Sequence, residues 1–178
     1  RIKKIIKTKI IVGGNTKNNN FNNIKIKKTK KIITFISSKI WRRTNLERAI
    51  FNNLIIFCKK YKYKLFFLDR RYENNKPLLK KLFKSDNWKY LQIDSFKKKF
   101  NFLKKNFLIV FAHSTLGYQL LSKGQRVVAF NHNLLNPDDK IAGPFWCKPY
   151  NYKIFEKKLL KVISYNQREW KKISDKYS

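Results

Sequence analysis

The sequence predicts an α/β fold in which an open parallel sheet is flanked by helices. The strongest evidence lies between Phe107 and Phe130, where an apolar run, a helix-length segment ending at Gly124 and a second apolar run follow one another. A strand that is apolar on both faces is typical of a parallel sheet whose two faces are covered by helices. The order therefore predicts a βαβ unit, with strands at Phe107–Phe111 and Arg126–Phe130.

The same alternation of strand-like and helix-like segments continues along the rest of the chain. Ile50, Leu54 and Phe57 recur at helical spacing, so we expect them to face the core. Asn45 and Asp94 are the expected N-caps of two helices. We predict strands at Lys31–Ser37, Lys64–Leu68 and Trp88–Ile93, and helices at Asn45–Lys60, Pro77–Lys84, Ser95–Lys105, Tyr152–Ser164 and Gln167–Tyr177.

Composition divides the chain into three parts. Residues 1–14 alternate charged side chains with Ile and end in Gly13-Gly14. This pattern predicts a strand followed by a turn. A phosphate-binding loop is disfavoured, because no phosphate-binding glycine pattern follows the two glycines. Residues 15–30 are rich in Asn and Lys, so we predict a linker. Residues 31–178 form the predicted Rossmann-like domain. Because the chain starts with Arg and has no Met, we interpret it as a fragment, with 1–14 as the end of a preceding domain or a hinge strand.

The net charge is strongly positive, at +33 from 43 Lys and Arg against 10 Asp and Glu. Such a charge attracts polyanions, which makes nucleic acid and an anionic membrane surface the two candidate partners. AT-rich codons supply lysines but also allow acidic residues, so composition drift does not explain the imbalance. The lysines are spread along the chain rather than gathered in one arm, which favours a lipid surface.

The two cysteines, Cys58 and Cys147, have no metal-binding or redox spacing. Cys58 falls in a helix with apolar periodicity, so we expect a buried thiol and a reducing compartment. No apolar run reaches the length of a transmembrane helix, and no signal peptide is evident. These features predict a cytoplasmic protein, with peripheral attachment to the inner face of the membrane as a further expectation.

The turn after the central apolar strand contains residues suited to phosphate binding. Ser114 and Thr115 are suitable N-caps for the next helix, whose first backbone N–H groups would point into the crevice at the carboxyl ends of the strands. Open α/β folds bind their ligands at this edge. Ser37-Ser38 would reach the same edge, either as a ligand contact or as an ordinary loop.

Charged residues after two other segments have two interpretations each. Arg70 and Arg71 follow a buried strand, where they either hold a diphosphate in forked bonds or form a solvated pair with Asp69. Asp138-Asp139 are similar to a metal-binding DxD motif, but they follow a proline without a third ligand, which favours a turn.

Two motifs in the second half of the chain resemble those of a known family. Residues 114–118 read STLGY, and residues 143–146 read GPFW. Together with Gly124 and the strand that follows it, they resemble the C-terminal half of the GT-B glycosyltransferase-like proteins of surface-polysaccharide (O-antigen type) biosynthesis. The resemblance covers residues 31–177.

This resemblance implies a Rossmann-like domain that binds a nucleotide-sugar donor as substrate and needs neither a metal nor another cofactor. The acceptor, a glycan or a lipid-linked sugar, would be bound through a missing N-terminal domain, which would also supply the general base. This half is therefore expected to bind the donor without turning it over, and no catalytic residue is identified in it.

The resemblance also implies roles for single residues. Gln119 stands where the family usually has a Glu that contacts ribose, and Trp146 would stack on the base or sugar, or else pack against the last helices. His113 is a phosphate contact or a turn residue. Gly117 allows either close approach to the ligand or tight helix–sheet packing. The implied donor- and phosphate-binding residues are Ser114, Thr115, Leu116, Gly117, Arg70 and Arg71.

The sequence thus predicts the donor-binding half of a glycosyltransferase-like protein in cell-surface polysaccharide synthesis. Because Gln119 brings no charge, a catalytically silent domain of the same fold is one alternative. A basic nucleic-acid-binding protein of the ribosomal type is the alternative from another class. The charge favours it, whereas the βαβ pattern and the lack of a basic tail argue against it.

Overall fold

The computed structural model describes residues 30–38, 45–69, 75–112, 114–130, 143–147 and 151–177. The described strands form one six-stranded sheet in which every neighbouring pair is parallel. The strands are β1 (Lys30–Ile36), β2 (Lys64–Leu68), β3 (Trp88–Leu91), β4 (Asn106–Phe111), β5 (Val127–Phe130) and β6 (Trp146–Cys147). The helices are α1 (Asn45–Tyr61), α2 (Lys76–Leu82), α3 (Phe96–Leu103), α4 (Thr115–Leu121), α5 (Tyr152–Ser164) and α6 (Gln167–Tyr177).

The strand order is β3-β2-β1-β4-β5-β6. After β1 the chain adds strands on one side of the sheet, and after β4 it adds them on the other side. This is the order of the doubly wound Rossmann fold. The predicted fold class, an open parallel sheet flanked by helices, is confirmed.

Helices cover both faces of the sheet, as the neighbours Phe66 and Phe67 in β2 show. Successive side chains of a strand point to opposite faces. The Phe67 ring packs against Phe51 of α1, with ring centroids 4.9 Å apart, and the Phe66 ring packs against Phe102 of α3 at 5.5 Å. Both faces are therefore apolar, which explains why the central strands lack alternation of polar and apolar residues.

A buried polar link joins the two central strands to the turn before β5. The Asn106 side-chain amide donates to Thr34 Oγ1 at 3.1 Å, and Gln125 Nε2 donates to the Asn106 carbonyl at 2.6 Å. All three side chains are buried. Buried polar groups are costly unless they are paired, so this link favours one alignment of β1, β4 and the turn.

Most predicted elements are confirmed within a few residues. Of the tight turn predicted at 141–146, residues 143–146 are described and form a turn, in which the Trp146 N–H donates to the Gly143 carbonyl at 3.2 Å. The short edge strand β6 at Trp146–Cys147 was not predicted, and one predicted N-cap is wrong. The N-cap of α3 is Ser95 and not Asp94, because the Ser95 hydroxyl accepts a hydrogen bond from the Lys98 N–H at 3.4 Å. The strand β6 was not predicted, because two residues are too few to show a hydrophobic period.

Some of the predictions fall outside the described residues. They concern the strand and linker of residues 1–29, the side chains of Arg70 and Arg71, His113, and the Asp138-Asp139 turn. In the described part of the chain, none of the helices combines the length and the apolar character that crossing a bilayer requires.

The expected core thiol is confirmed. The Cys58 side chain is 2% exposed in α1, and its burial raises the pKa of the thiol from 9.0 to about 12. Burial disfavours the thiolate, which is the reactive form.

We predict that native Cys58 resists alkylation. In a Cys147→Ala variant, iodoacetamide at pH 8 should label the folded chain on the order of 1,000-fold more slowly than the chain in denaturant, since the folded-state pKa is raised from 9.0 to about 12. Because the folded-state pKa is the higher one, stability linked to this thiol is intact below pH 9 and is lost as pH rises toward 12. Equal labelling rates in the folded and denatured chain would contradict the buried assignment.

Candidate functional site at the carboxyl edge of the sheet

A cleft of about 420 Å³ opens at the carboxyl ends of the central strands. It lies where β1 and β4 are neighbours and the chain leaves them in opposite directions. Open α/β sheets bind ligands at this switch point, because the connecting loops diverge there and leave a crevice. The cleft is lined by Ile36, Ser37, Leu68, Asp69, Lys99, Ser114, Thr115, Leu116 and Tyr118.

The wall from α4 is formed by its first turn. Ser114 has an extended backbone (φ −148°, ψ 113°), and its Oγ accepts a hydrogen bond from the Gly117 N–H at 3.3 Å. The predicted capping role of Ser114 is therefore confirmed. The neighbouring Thr115, the first residue of α4, is exposed and lines the cleft as well.

Gly117 is explained by packing. A Cβ at Gly117 would lie 2.3 Å from Cε1 of Phe111, closer than any side-chain contact allows. The Phe111 ring at the end of β4 also packs edge-on against Tyr118, with centroids 5.1 Å apart. Of the two interpretations of this glycine, the structure supports tight helix–sheet packing.

The cleft floor is organised by Asp69, which directly follows β2 and is 3% exposed. Its Oδ1 accepts from the Ser37 hydroxyl at 3.3 Å. Its Oδ2 accepts from Asn75 Nδ2 at 2.8 Å and from the Tyr90 hydroxyl at 2.9 Å. One carboxylate thus joins the carboxyl ends of β1, β2 and β3, which keeps these walls at a fixed spacing.

The two serines after β1 have different roles. Ser37 lines the cleft. Ser38 turns toward α1, where its N–H donates to Glu47 Oε2 at 3.2 Å and its hydroxyl donates to Glu47 Oε1. Glu47 is 1% exposed in the first turn of α1. Ser38 therefore anchors the start of α1 rather than lining the cleft.

The residues predicted to contact ribose and base lie beside the cleft rather than on its described walls. Gln119 is 8% exposed in α4. Trp146 is half-buried in β6, and its ring centroid lies 6.2 Å from that of Tyr118, which does line the cleft. Their contacts with a donor stay predictions, as do those of Arg70 and Arg71.

Two charged residues of the cleft were missed by the sequence analysis as site residues. Lys99 is half-buried in α3, and it belongs to a lysine run, which is the ordinary pattern of a solvated helix face. Asp69 was considered only as a partner for arginine; its position directly after an apolar strand was the available signal. Within the described ranges, no cluster of three metal-ligating side chains is present.

Comparison with known proteins identifies the family. A protein-family profile described as "putative O-antigen biosynthesis protein" matches residues 45–178. The chain belongs to this family. A comparison with curated proteins finds no match.

Solved structures share the fold of this family member. The C-terminal domain of the group 1 glycosyl transferase LpcC from Francisella tularensis matches with a TM-score of 0.56 and 16% identity, over 83% of this chain and 82% of that domain. The UDP-GlcNAc 2-epimerase of Methanocaldococcus jannaschii, in complex with UDP-GlcNAc and UDP, matches with a TM-score of 0.59 and 12% identity, over 86% of this chain. The UDP-GlcNAc 2-epimerase of Neisseria meningitidis, bound to UDP-GlcNAc, matches with a TM-score of 0.58 and 14% identity, over 84% of this chain.

The chain spans 43% and 40% of the two epimerase chains. Its fold matches that of a GT-B C-terminal domain, since it overlaps 82% of the LpcC domain. At these identities the likeness shows the fold alone.

We predict that Gly117→Ala destabilises the O-antigen family chain although alanine favours helices. The clash with Phe111 should cost about 1–3 kcal/mol, more than the ~1 kcal/mol that Ala gains over Gly in a helix. Thermal unfolding should show a lower Tm, by roughly 2–4 °C per kcal/mol for a chain of this size.

The matched control is Phe111→Leu, alone and combined with Gly117→Ala. Because leucine vacates part of the ring volume, the double variant should be less destabilised than the sum of the two single variants. Strict additivity would show that the ring is not what requires glycine at this position.

Proposed function

We propose that this domain binds the nucleotide-sugar donor of a glycosyltransferase-like protein in surface-polysaccharide synthesis. The observation that carries the proposal is the cleft at the β1–β4 switch point, in a chain that belongs to an O-antigen biosynthesis family. The same fold holds UDP-GlcNAc in the two epimerase structures, which supports a nucleoside diphosphate sugar as the ligand class.

The charges of the cleft favour one position for the diphosphate. Asp69 on the floor would repel a phosphate, although three hydrogen bonds offset part of its charge. Lys99 and Thr115 on the walls offer a cation and a hydroxyl. We therefore place the diphosphate between Lys99 and the start of α4, with Arg70 and Arg71 as further proposed cations.

The chemistry of transfer fits this arrangement. When the glycosyl group leaves its donor, the bond between the anomeric carbon and the phosphate oxygen breaks and the diphosphate gains negative charge. Donors and cations that are already in place lower the barrier for such a step. Because α4 has only seven residues, its dipole acts over a short range and the side-chain cations must supply most of the stabilisation.

The acceptor belongs to the proposal as well. We propose a glycan or lipid-linked acceptor bound by another domain, and no metal in the reaction. We propose that this other domain also supplies the general base for the acceptor hydroxyl, while the cleft residues hold the donor. The anionic membrane surface and the nucleic-acid alternative stay predictions from the charge.

We predict that one nucleoside diphosphate stabilises the chain against heat. With UDP, CDP, GDP and CMP tested in turn, the preferred ligand at 100 times its Kd should add about 2.7 kcal/mol of stability. The shift should persist at raised salt, and Lys99→Gln combined with Thr115→Val should abolish most of it, because this pair removes the proposed cation and hydroxyl.

Lys97→Gln is the matched control, because it removes the same charge from the exposed face of the same helix without lining the cleft. It should leave the shift unchanged. Donor binding would be refuted if only a short nucleic-acid duplex stabilised the chain, and if this stabilisation fell steeply with salt and was reduced equally in the double variant and in the control. This result would favour the nucleic-acid alternative.

A further inference from the structure

A second cavity, of about 340 Å³, lies at the opposite edge of the sheet, at the amino ends of β2 and β3. It is formed by the end of α1, the α1–β2 turn and the connection into β3. Its distance from the donor cleft is set by the length of the strands, since the two openings lie at opposite strand ends. Nothing in the proposed donor chemistry uses this cavity.

The cavity is rimmed by four exposed lysines, Lys59, Lys62, Lys64 and Lys89. In the described part of the chain, no carboxylate lies within 4.0 Å of any of the four amino groups. The one acidic residue of the lining, Asp86, has Lys80 at 3.8 Å. The cavity therefore concentrates positive charge that the described residues do not balance.

Lys62 occupies a backbone conformation that favours glycine. Its φ is +56°, the single positive φ among the described residues other than glycine. The conformation ends α1, since the Tyr63 N–H donates back to the Cys58 carbonyl at 3.0 Å. A lysine at this position costs stability that glycine would not. A left-handed residue just past the last turn is a common way for a helix to end, so this conformation is explained by the end of α1.

Trp88 forms part of the cavity wall and is 2% exposed. Its indole Nε1 has almost no accessible surface and no acceptor among the described residues, so it is a cost of the fold rather than a contact for a ligand.

The aromatic rings around the cavity are already packed, which argues against stacking of a base. Tyr63 lies between Phe57 and Phe107, with centroids 6.1 and 5.6 Å away, and both pairs are stacked. The Trp88 ring is held by Phe51 and by Lys80, whose Nζ lies 4.7 Å from the ring centroid. Recognition must therefore rest on charge.

We propose that this cavity is a binding site for a phosphate-bearing anion. Several lysines around one small opening match a ligand with more than one negative charge better than a monocarboxylate. Lysine binds phosphate as a point charge and needs no forked geometry. The ligand is either a free phosphorylated compound or the headgroup of an anionic lipid.

The test measures binding to the full chain with two probes. Pyrophosphate is titrated calorimetrically, and vesicles containing phosphatidylglycerol are tested by co-sedimentation. Lys64→Gln combined with Lys89→Gln should weaken binding of the productive probe by about tenfold or more. The control, Lys161→Gln with Lys172→Gln, removes the same charge from exposed positions outside the cavity and should change affinity less than about twofold.

The outcomes are distinct. Saturable pyrophosphate binding supports a free phosphorylated ligand. Vesicle binding without pyrophosphate binding supports a lipid headgroup. In either case the cavity double variant must lose the binding and the control double variant must keep it. Equal losses in both double variants, binding only to a nucleic-acid duplex, or no binding to either probe would overturn the proposal. None of these results bears on the donor cleft, whose ligand lies at the other edge.

The variant Lys62→Gly tests whether the Lys62 side chain contributes to binding or only ends α1. Because glycine suits a φ of +56°, this variant should unfold at a higher temperature than the parent chain while its phosphate affinity falls. A rise in both stability and affinity, or an unchanged affinity, would contradict a role for Lys62 in the site.

Discussion

The structure depends on the parallel pairing of β1 with β4. Thr34 is aligned with Ile109 and Phe35 with Val110 at the centre of the sheet, with no exposure of these side chains. A slip by one residue would reverse which side chains face each layer of helices, and it would break the buried bond from Asn106 to Thr34. This pairing also creates the switch point, so the same interaction that completes the core opens the cleft above it.

The two edges of the sheet then acquire different chemistry. At the carboxyl edge, one buried carboxylate, Asp69, holds three strand ends together, and the described residues that line the opening include hydroxyl groups and Lys99. At the amino edge, helices end and lysines collect, as at Lys59 in the last turn of α1. Cations are favourable beside helix carboxyl ends, so part of this charge stabilises the fold. Lys89 lies on β3 rather than at a helix end, so that effect does not explain its position.

Local signals were sufficient for much of this architecture. The bounds of α5 and α6 follow from an apolar stripe at helical spacing, and Ser114 was recognisable as a cap because a cap acts within three residues. The Ser37–Asp69 bond joins residues 32 apart in sequence, and only the strand order brings them together. The lysine cavity was hidden for another reason, since lysines occur throughout this chain and only the topology shows which of them converge.

The central claim is that a nucleoside diphosphate binds at the carboxyl edge of the sheet, where β1 and β4 are neighbours. The most direct measurement is a titration of the isotopically labelled chain with UDP, followed by backbone amide chemical shifts. The account predicts that the largest early changes fall on 37–38, 69, 99 and 114–118, and that the amides of 59–64 and 86–89 respond only at much higher concentration. Changes that begin at the amino edge, or that spread evenly over the lysine-rich surface, would contradict it.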